Sequence, residues 1–195
     1  MSEAVSRRMS LDEFWEWQTG QEDRYELIDG EPRATAGAQQ QHDRIVTNAL
    51  IAIGVHVRGG PCRVFTAGQT VVTKSANGRR PDLGVDCGPL EPTSMQATLP
   101  RIVFEVLSRS TRTLDQVGKL DEYKQVDSME QIVLVDPNEP SVIFWSRSAD
   151  RSWLQAILTG LDAILPLGTI GLDLPLSELY AGLDMRPRPR VVPPS

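Results

Sequence analysis

Cysteine and histidine are nearly missing from this sequence, with two of each in 195 residues. Cys62 and Cys87 cannot make a disulfide framework, and with His42 and His56 they show no zinc-ligand spacing. A metal site would have to be built from oxygen ligands. Positive charge is also in deficit: 20 Lys and Arg against 26 Asp and Glu leave −6, with a pI near 5.0. That balance argues against a passive coat on a polyanion, which needs a net positive field. An enzyme that engages one phosphate through a local patch stays open. Long apolar runs are absent too. The longest, around Ala49–Val57, is far too short to cross a bilayer, and nothing at the amino terminus resembles a signal peptide. There is no Walker phosphate loop, dinucleotide fingerprint, Gly-x-Ser-x-Gly elbow or His-Glu-x-x-His, so nucleotide kinase, redox, esterase and zinc-protease readings lack support.

What remains is an ordinary globular composition, 40% hydrophobic and 24% charged, long enough to bury a sizeable core. The expectation is one domain over residues 1–184 and a Pro- and Arg-rich disordered tail over 185–195, in a soluble, reduced, cytoplasmic protein. Ser10 and Glu13 form a capping box that opens a short helix ended by Gly20. Asp29-Gly30 between extended runs predicts a two-residue hairpin. Ile45, Val46, Ala49, Leu50 and Ile53 recur at helical spacing. Strand-like runs follow at Arg63–Lys74 (broken near Gly68), Asp82–Cys87 and Arg101–Leu107. A helix is expected over Leu114–Val126 with a second capping box at Thr113 and Gln116, then a buried strand over Gln131–Asp136. A hairpin over Ser141–Thr159 and a short helix near Leu176–Leu183 close the chain. The unit from Arg101 to Asp136 should be a right-handed crossover joining two parallel strands. The fold class is α/β (α+β): a mixed sheet flanked by helices, with additional β-hairpins.

Glu105 interrupts the apolar run Ile102-Val103-Phe104-Glu105-Val106-Leu107. A buried carboxylate is costly unless paired, protonated or bound to metal. A structural ion pair with a nearby arginine and a functional site are equally weighted on residue type alone. Asp82 opens the preceding strand, so the two carboxylates can meet if those strands share a sheet, and a hard cation such as Mg²⁺ would remove their repulsion. Asp86 lies too far along the strand, and reads as a solvated end-of-strand acid. Lys119, in the following helix, is either an exposed partner of Asp115 or a cation reaching back over the sheet end.

The segments Tyr25-Glu26-Leu27-Ile28-Asp29-Gly30-Glu31, Arg80-Pro81-Asp82 and Phe104-Glu105-Val106-Leu107-Ser108-Arg109-Ser110-Thr111 occur in that order. Asp115, Lys119, Tyr123 and Ile132-Val133-Leu134-Val135-Asp136-Pro137 follow. This series resembles the Uma-two family of bacterial restriction-endonuclease-type proteins, within the PD-(D/E)XK nuclease superfamily, over roughly Leu11 to Arg147. The resemblance implies a restriction-endonuclease-like core and a Mg²⁺- or Mn²⁺-dependent site with Asp82 and Glu105 as ligands. It also implies that Lys119 replaces the superfamily's lysine, whose position two residues after the glutamate is Leu107 here. Glu26 matches the family's early glutamate, as a further ligand or a supporting group. His42 falls where the family often has histidine, and is equally a polar residue of a first helical turn.

Three functions are carried forward. The first is a metal-dependent endonuclease acting on nucleic acid, DNA by expectation. Its catalytic residues would be Asp82, Glu105, Lys119 and Glu26, its substrate contacts Arg80, Arg109, Arg112 and His42, and a homodimer is the form such enzymes often take. A basic rim of Arg79, Arg80, Arg109, Arg112 and Lys124 would serve it, the alternative being scattered surface charge. The second is a non-catalytic nuclease-fold module for nucleic-acid binding or assembly, favoured by Leu107 and the acidic pI. The third is a hydrolase of a smaller phosphate compound.

Overall fold

A computed structural model describes residues 8–35, 39–107 and 114–185. The expected substrate contacts Arg109 and Arg112, the Thr113 member of the expected Thr113/Gln116 capping box and the tail beyond Met185 lie outside those residues. The chain opens with α1 (Leu11–Thr19), then the hairpin β1 (Tyr25–Ile28) and β2 (Glu31–Ala34). Next come α2 (Gln40–Val57), β3 (Arg63–Thr66), β4 (Val71–Val72), β5 (Gly78–Arg79), β6 (Leu83–Asp86) and β7 (Pro100–Val106). After these are α3 (Leu114–Gln125), β8 (Gln131–Asp136), β9 (Ser141–Arg147), β10 (Trp153–Thr159), β11 (Ile164–Leu167), β12 (Leu172–Pro175) and α4 (Leu176–Leu179).

Local chemistry sets the early elements. Ser10 Oγ accepts from the Glu13 amide while Glu13 returns a carboxylate oxygen to the Ser10 amide, as the capping box requires. Asp29 and Gly30 both have positive φ, 51° and 79°, the backbone a two-residue I′ turn demands.

Six strands form the main sheet in the order β10-β9-β8-β7-β6-β3. The β7–β8 pair is parallel, with α3 as its crossover, and the other neighbours are antiparallel. A second sheet, β2-β1-β5-β4, stands beside it, and β11-β12 form a separate ribbon. The run Arg63–Lys74 is thus shared between sheets, since a turn closed by the Gln69 amide on the Thr66 carbonyl sends β3 and β4 apart.

The main sheet is covered on both faces. On one, Ile45, Ala49 and Ile53 of α2 pack with Ile102, Phe104, Val106, Val133 and Val135, closed by Leu165, Leu167, Leu174 and α4. On the other, Val103, Ile132 and Trp145 lie against Tyr123, Val126 and Met129. Alternation along β7 therefore turns Glu105, like Val103, toward α3.

Two expectations are corrected. Cys62 and Cys87 are joined by a disulfide rather than reduced. The pairing of Arg63 with Asp86 brings the two flanking cysteines opposite one another, a proximity that a sequence separation of 25 conceals. Asp86 is not a solvated acid. It is 3% exposed and accepts from the amides of Gly88, Thr98 and Leu99, the Thr98 hydroxyl and Arg63. Burial pushes its carboxyl up, but these donors more than reverse that and leave it below the ordinary range. It anchors the loop between β6 and β7. Among the described residues no helix is long and apolar enough to cross a membrane.

Candidate active site

The register of β6 on β7 pairs Leu83 with Phe104 and Gly84 with Val103. Asp82, one residue before Leu83, thereby comes level with Glu105. The two acids stand at one end of adjacent central strands. The backbone ties them as well: the Val106 amide donates to Asp82 Oδ2 at 2.7 Å.

Three other elements, α2, α3 and β1, send groups to this sheet end. From the first turn of α2, His42 Nε2 reaches Asp82 Oδ2 at 3.1 Å. From α3, Lys119 and Tyr123 lie four apart and so share a helix face. The Tyr123 hydroxyl donates to Glu105 Oε1 at 2.8 Å and Lys119 Nζ to the same oxygen at 3.4 Å. From β1, Glu26 Oε1 meets Lys119 Nζ at 2.9 Å and accepts the Arg80 amide at 2.9 Å. Asp82, Glu105, Lys119, Glu26 and His42, all singled out in the sequence, are gathered here.

The electrostatics follow from burial and crowding. Glu105, with a side chain 15% exposed, is pushed up to about 7, first by burial and further by Asp82 and Glu26, against the pull of Lys119 and the Tyr123 hydrogen bond. Burial works against the Lys119 ammonium, yet Glu105 and Glu26 outweigh it and hold the amine above its ordinary range. Tyr123 is raised well above the usual phenol by burial and by the same two carboxylates. His42 is raised by its hydrogen bond to Asp82, partly offset by burial. Its Nδ1 is buried and has no hydrogen-bond partner among the described residues.

Arg79 and Arg80 are buried rather than part of an exposed rim, and Arg109 and Arg112 lie outside the described residues. Arg80 is 5% exposed, and its Nε donates to the Tyr25 carbonyl while Nη1 donates to those of Ala67 and Gly68. It clamps β1 to the β3–β4 turn, a structural task that its place beside Asp82 in the sequence does not suggest. Arg79 is 2% exposed and closes bidentately on Glu122 at 2.6 and 3.0 Å, with Glu26 at 3.4 Å. Lys124 lies over the Trp145 ring at 5.1 Å. Sequence reasoning gave no role to Tyr123 or Glu122. The spacing from Lys119 to Tyr123 could have found the first, whereas only tertiary contact reveals the second.

A metal ion can be tested against this donor set. Glu26 and Glu122 are balanced by Arg79 and Lys119, which leaves Asp82 and Glu105 as the carboxylates without a dedicated cation. Asp82 Oδ1 and Glu105 Oε2 accept no hydrogen bond among the described residues. Hard oxygens in this number suit Mg²⁺, which keeps most of its waters. A preformed cage is not present: among the described residues no group of three or more His, Cys, Asp or Glu is assembled for a metal. Two carboxylates completed by water and a substrate phosphate is the arrangement that fits.

The architecture is an α/β (α+β) fold, a mixed sheet with helices on both faces and two acids at one strand end. The comparisons agree. The Uma2 family model, described as "Putative restriction endonuclease", matches residues 11–177, and the chain belongs to that family. Membership supports a nuclease-like function. Two relatives from Synechocystis sp. are known only as "Uncharacterized protein slr1290" and "Uncharacterized protein sll1609". The first is 28% identical over 178 residues, covering 90% of this chain and 93% of its own length. The second is 23% identical over 164 residues, covering 82% and 93%. The crystal structure of a "putative nuclease belonging to DUF820" from Anabaena variabilis shares the fold, with TM-score 0.69 and 22% identity over 88% of this chain and 97% of that one.

Proposed function

We propose that this protein is a metal-dependent endonuclease that hydrolyses phosphodiester bonds in nucleic acid, with DNA the expected substrate and Mg²⁺ or Mn²⁺ held by Asp82 and Glu105. The observation that carries the reading is the meeting of these two acids with Lys119 at one sheet end, where the local charge is short of one divalent cation. Such an ion, when bound, lowers the pKa of a water and neutralises phosphate oxygens. The chain's own groups supply the rest. His42 and the Val106 amide fix Asp82 through one oxygen and leave the other for a ligand. Tyr123 does the same for Glu105. Lys119 offers an ammonium to orient the attacking water or offset charge developing on the phosphate. It thereby takes the part that Leu107 cannot play. Glu26, with both oxygens engaged by Lys119, Arg80 and Arg79, holds the lysine and is not a ligand.

Cleavage of single- and double-stranded DNA and RNA in Mg²⁺, Mn²⁺ or EDTA tests this. Wild type should cut in metal only, Glu105→Gln should lose about 10³-fold or more, and Lys119→Met about 10²-fold while keeping metal affinity. Activity equal in Glu105→Gln would sink the proposal. The burial of Arg79 and Arg80 favours one second reading, a non-catalytic nucleic-acid-binding or assembly module. Binding without cleavage in any metal would select it.

A further inference from the structure

The buried pair Arg79 and Glu122 stands beside the site, and the proposed mechanism gives it no task. Their side chains are 3% and 13% exposed. Glu122 is fixed from three directions: Arg79 closes its fork on it, Asn77 Nδ2 donates at 3.0 Å and Thr73 Oγ1 at 3.2 Å. All three donors come from the β4–β5 hairpin region. Arg79 Nη1 also reaches Glu26 Oε2 at 3.4 Å. The other oxygen of Glu26 holds Lys119, which is shared unevenly, 2.9 Å from Glu26 and 3.4 Å from Glu105. The hydrogen-bonded series therefore runs Glu122, Arg79, Glu26, Lys119, Glu105.

We propose that Arg79 and Glu122 are positioning residues that set, through Glu26, how far Lys119 leans toward Glu105. The physical reason is competition for one carboxylate. Glu26 offers its charge to two cations, so whatever strengthens its bond to Arg79 weakens its hold on Lys119. Glu122 keeps Arg79 partly turned away. With that anchor weakened, Arg79 swings onto Glu26 and releases Lys119 to Glu105. With Arg79 shortened, Glu26 turns its full charge on Lys119 and draws it off Glu105. A simple ionic strut between α3 and the hairpin would show no such opposition of sign.

The test reads Lys119 directly. The chain has only three lysines, Lys74, Lys119 and Lys124, so ¹⁵N-lysine NMR of the full chain resolves the three ammonium signals and Lys119→Met identifies its own. Glu122→Gln and Arg79→Gln, neither of which adds a lysine, should move the Lys119 signal in opposite directions from wild type. Thr73→Val, which removes one support of Glu122 without touching a charge, should move it in the Glu122→Gln sense and stands in if a charge variant fails to fold. Movement in one common direction, or none, overturns the proposal. The kinetic arm rests on the nuclease reading. In Glu122→Gln, kcat should fall about tenfold with KM unchanged, and in a Lys119→Met background the same substitution should cost nothing more. If wild type cuts nothing while the NMR signals move as stated, the nuclease reading fails and the positioning assignment holds. If cleavage is seen and the signals do not move, the reverse is true.

Discussion

Glu105 was legible from its neighbours alone, because an acid inside an unbroken apolar strand needs a partner that sequence can demand without naming. Lys119 and Tyr123, one helical turn apart, were placed to answer it. The arginines were not legible. A guanidinium with five donors takes its partners from wherever the chain brings carbonyls and carboxylates, so adjacency to Asp82 made Arg79 and Arg80 look like a rim when both are buried. The raised Glu105 has a measurable consequence. Its folded value is about 7 against 4.5 for the free side chain, so between these values the folded state keeps a proton that the unfolded chain has lost. Stability must then fall as pH rises through that window and be complete below it. His42, also raised, drops in the same sense at higher pH. Metal-free Glu105→Gln should match wild type in thermal melts near pH 4.5 and exceed it near pH 8 by roughly 1–3 kcal/mol, a few degrees in Tm at this chain length. A gap that shrinks with rising pH would show that Glu105 is ionised without penalty.

Elements whose signals are local came through from the sequence: the capping box of α1, the Asp-Gly hairpin, the apolar stripe of α2 and the parallel β7–β8 crossover. Elements made by partners did not. β5 is two residues long and exists because Leu27 of β1 and Val72 of β4 flank Gly78, while β11 and β12 define each other. The β3–β6 pairing, which brings the disulfide cysteines together, is shaped by a glycine. Gly84 sits opposite Phe65, and a Cβ on it would overlap the Phe65 ring. The ring lies across β6 and belongs to the core on the α3 side. Gly84→Ala must displace that aromatic from a packed position two residues from Asp82. It should cost about 1–3 kcal/mol by thermal or urea unfolding. An unchanged melt would mean that Phe65 swings aside freely and does not hold the Asp82 end of β6.

At the scale of the molecule, a net charge of −6 misleads about where an anionic substrate or a cation is welcome. Most charge near the site is neutralised within the fold: Arg79 against Glu122 and Glu26, Lys119 against Glu26 and Glu105. Among the described residues the negative charge left over there lies at Asp82 and at Glu105, which shares Lys119 with Glu26, and such a local excess separates a bound ion from one that merely screens. A cation held by the folded chain alone raises stability by RT ln(1 + [L]/Kd), about 2.7 kcal/mol at a hundredfold excess over Kd. Screening acts instead on every surface charge and depends on ionic strength. Near pH 8, Mg²⁺ at saturating concentration should raise the wild-type Tm by roughly 5–10 °C, using a typical 2–4 °C for each kcal/mol at this length. NaCl at equal ionic strength should not reproduce the rise, and Asp82→Asn should abolish it. Were Asp82→Asn to gain as much as wild type, the ion would be acting on the whole acidic surface, and the carboxylates at the end of β6 and β7 would lose their assignment as its ligands.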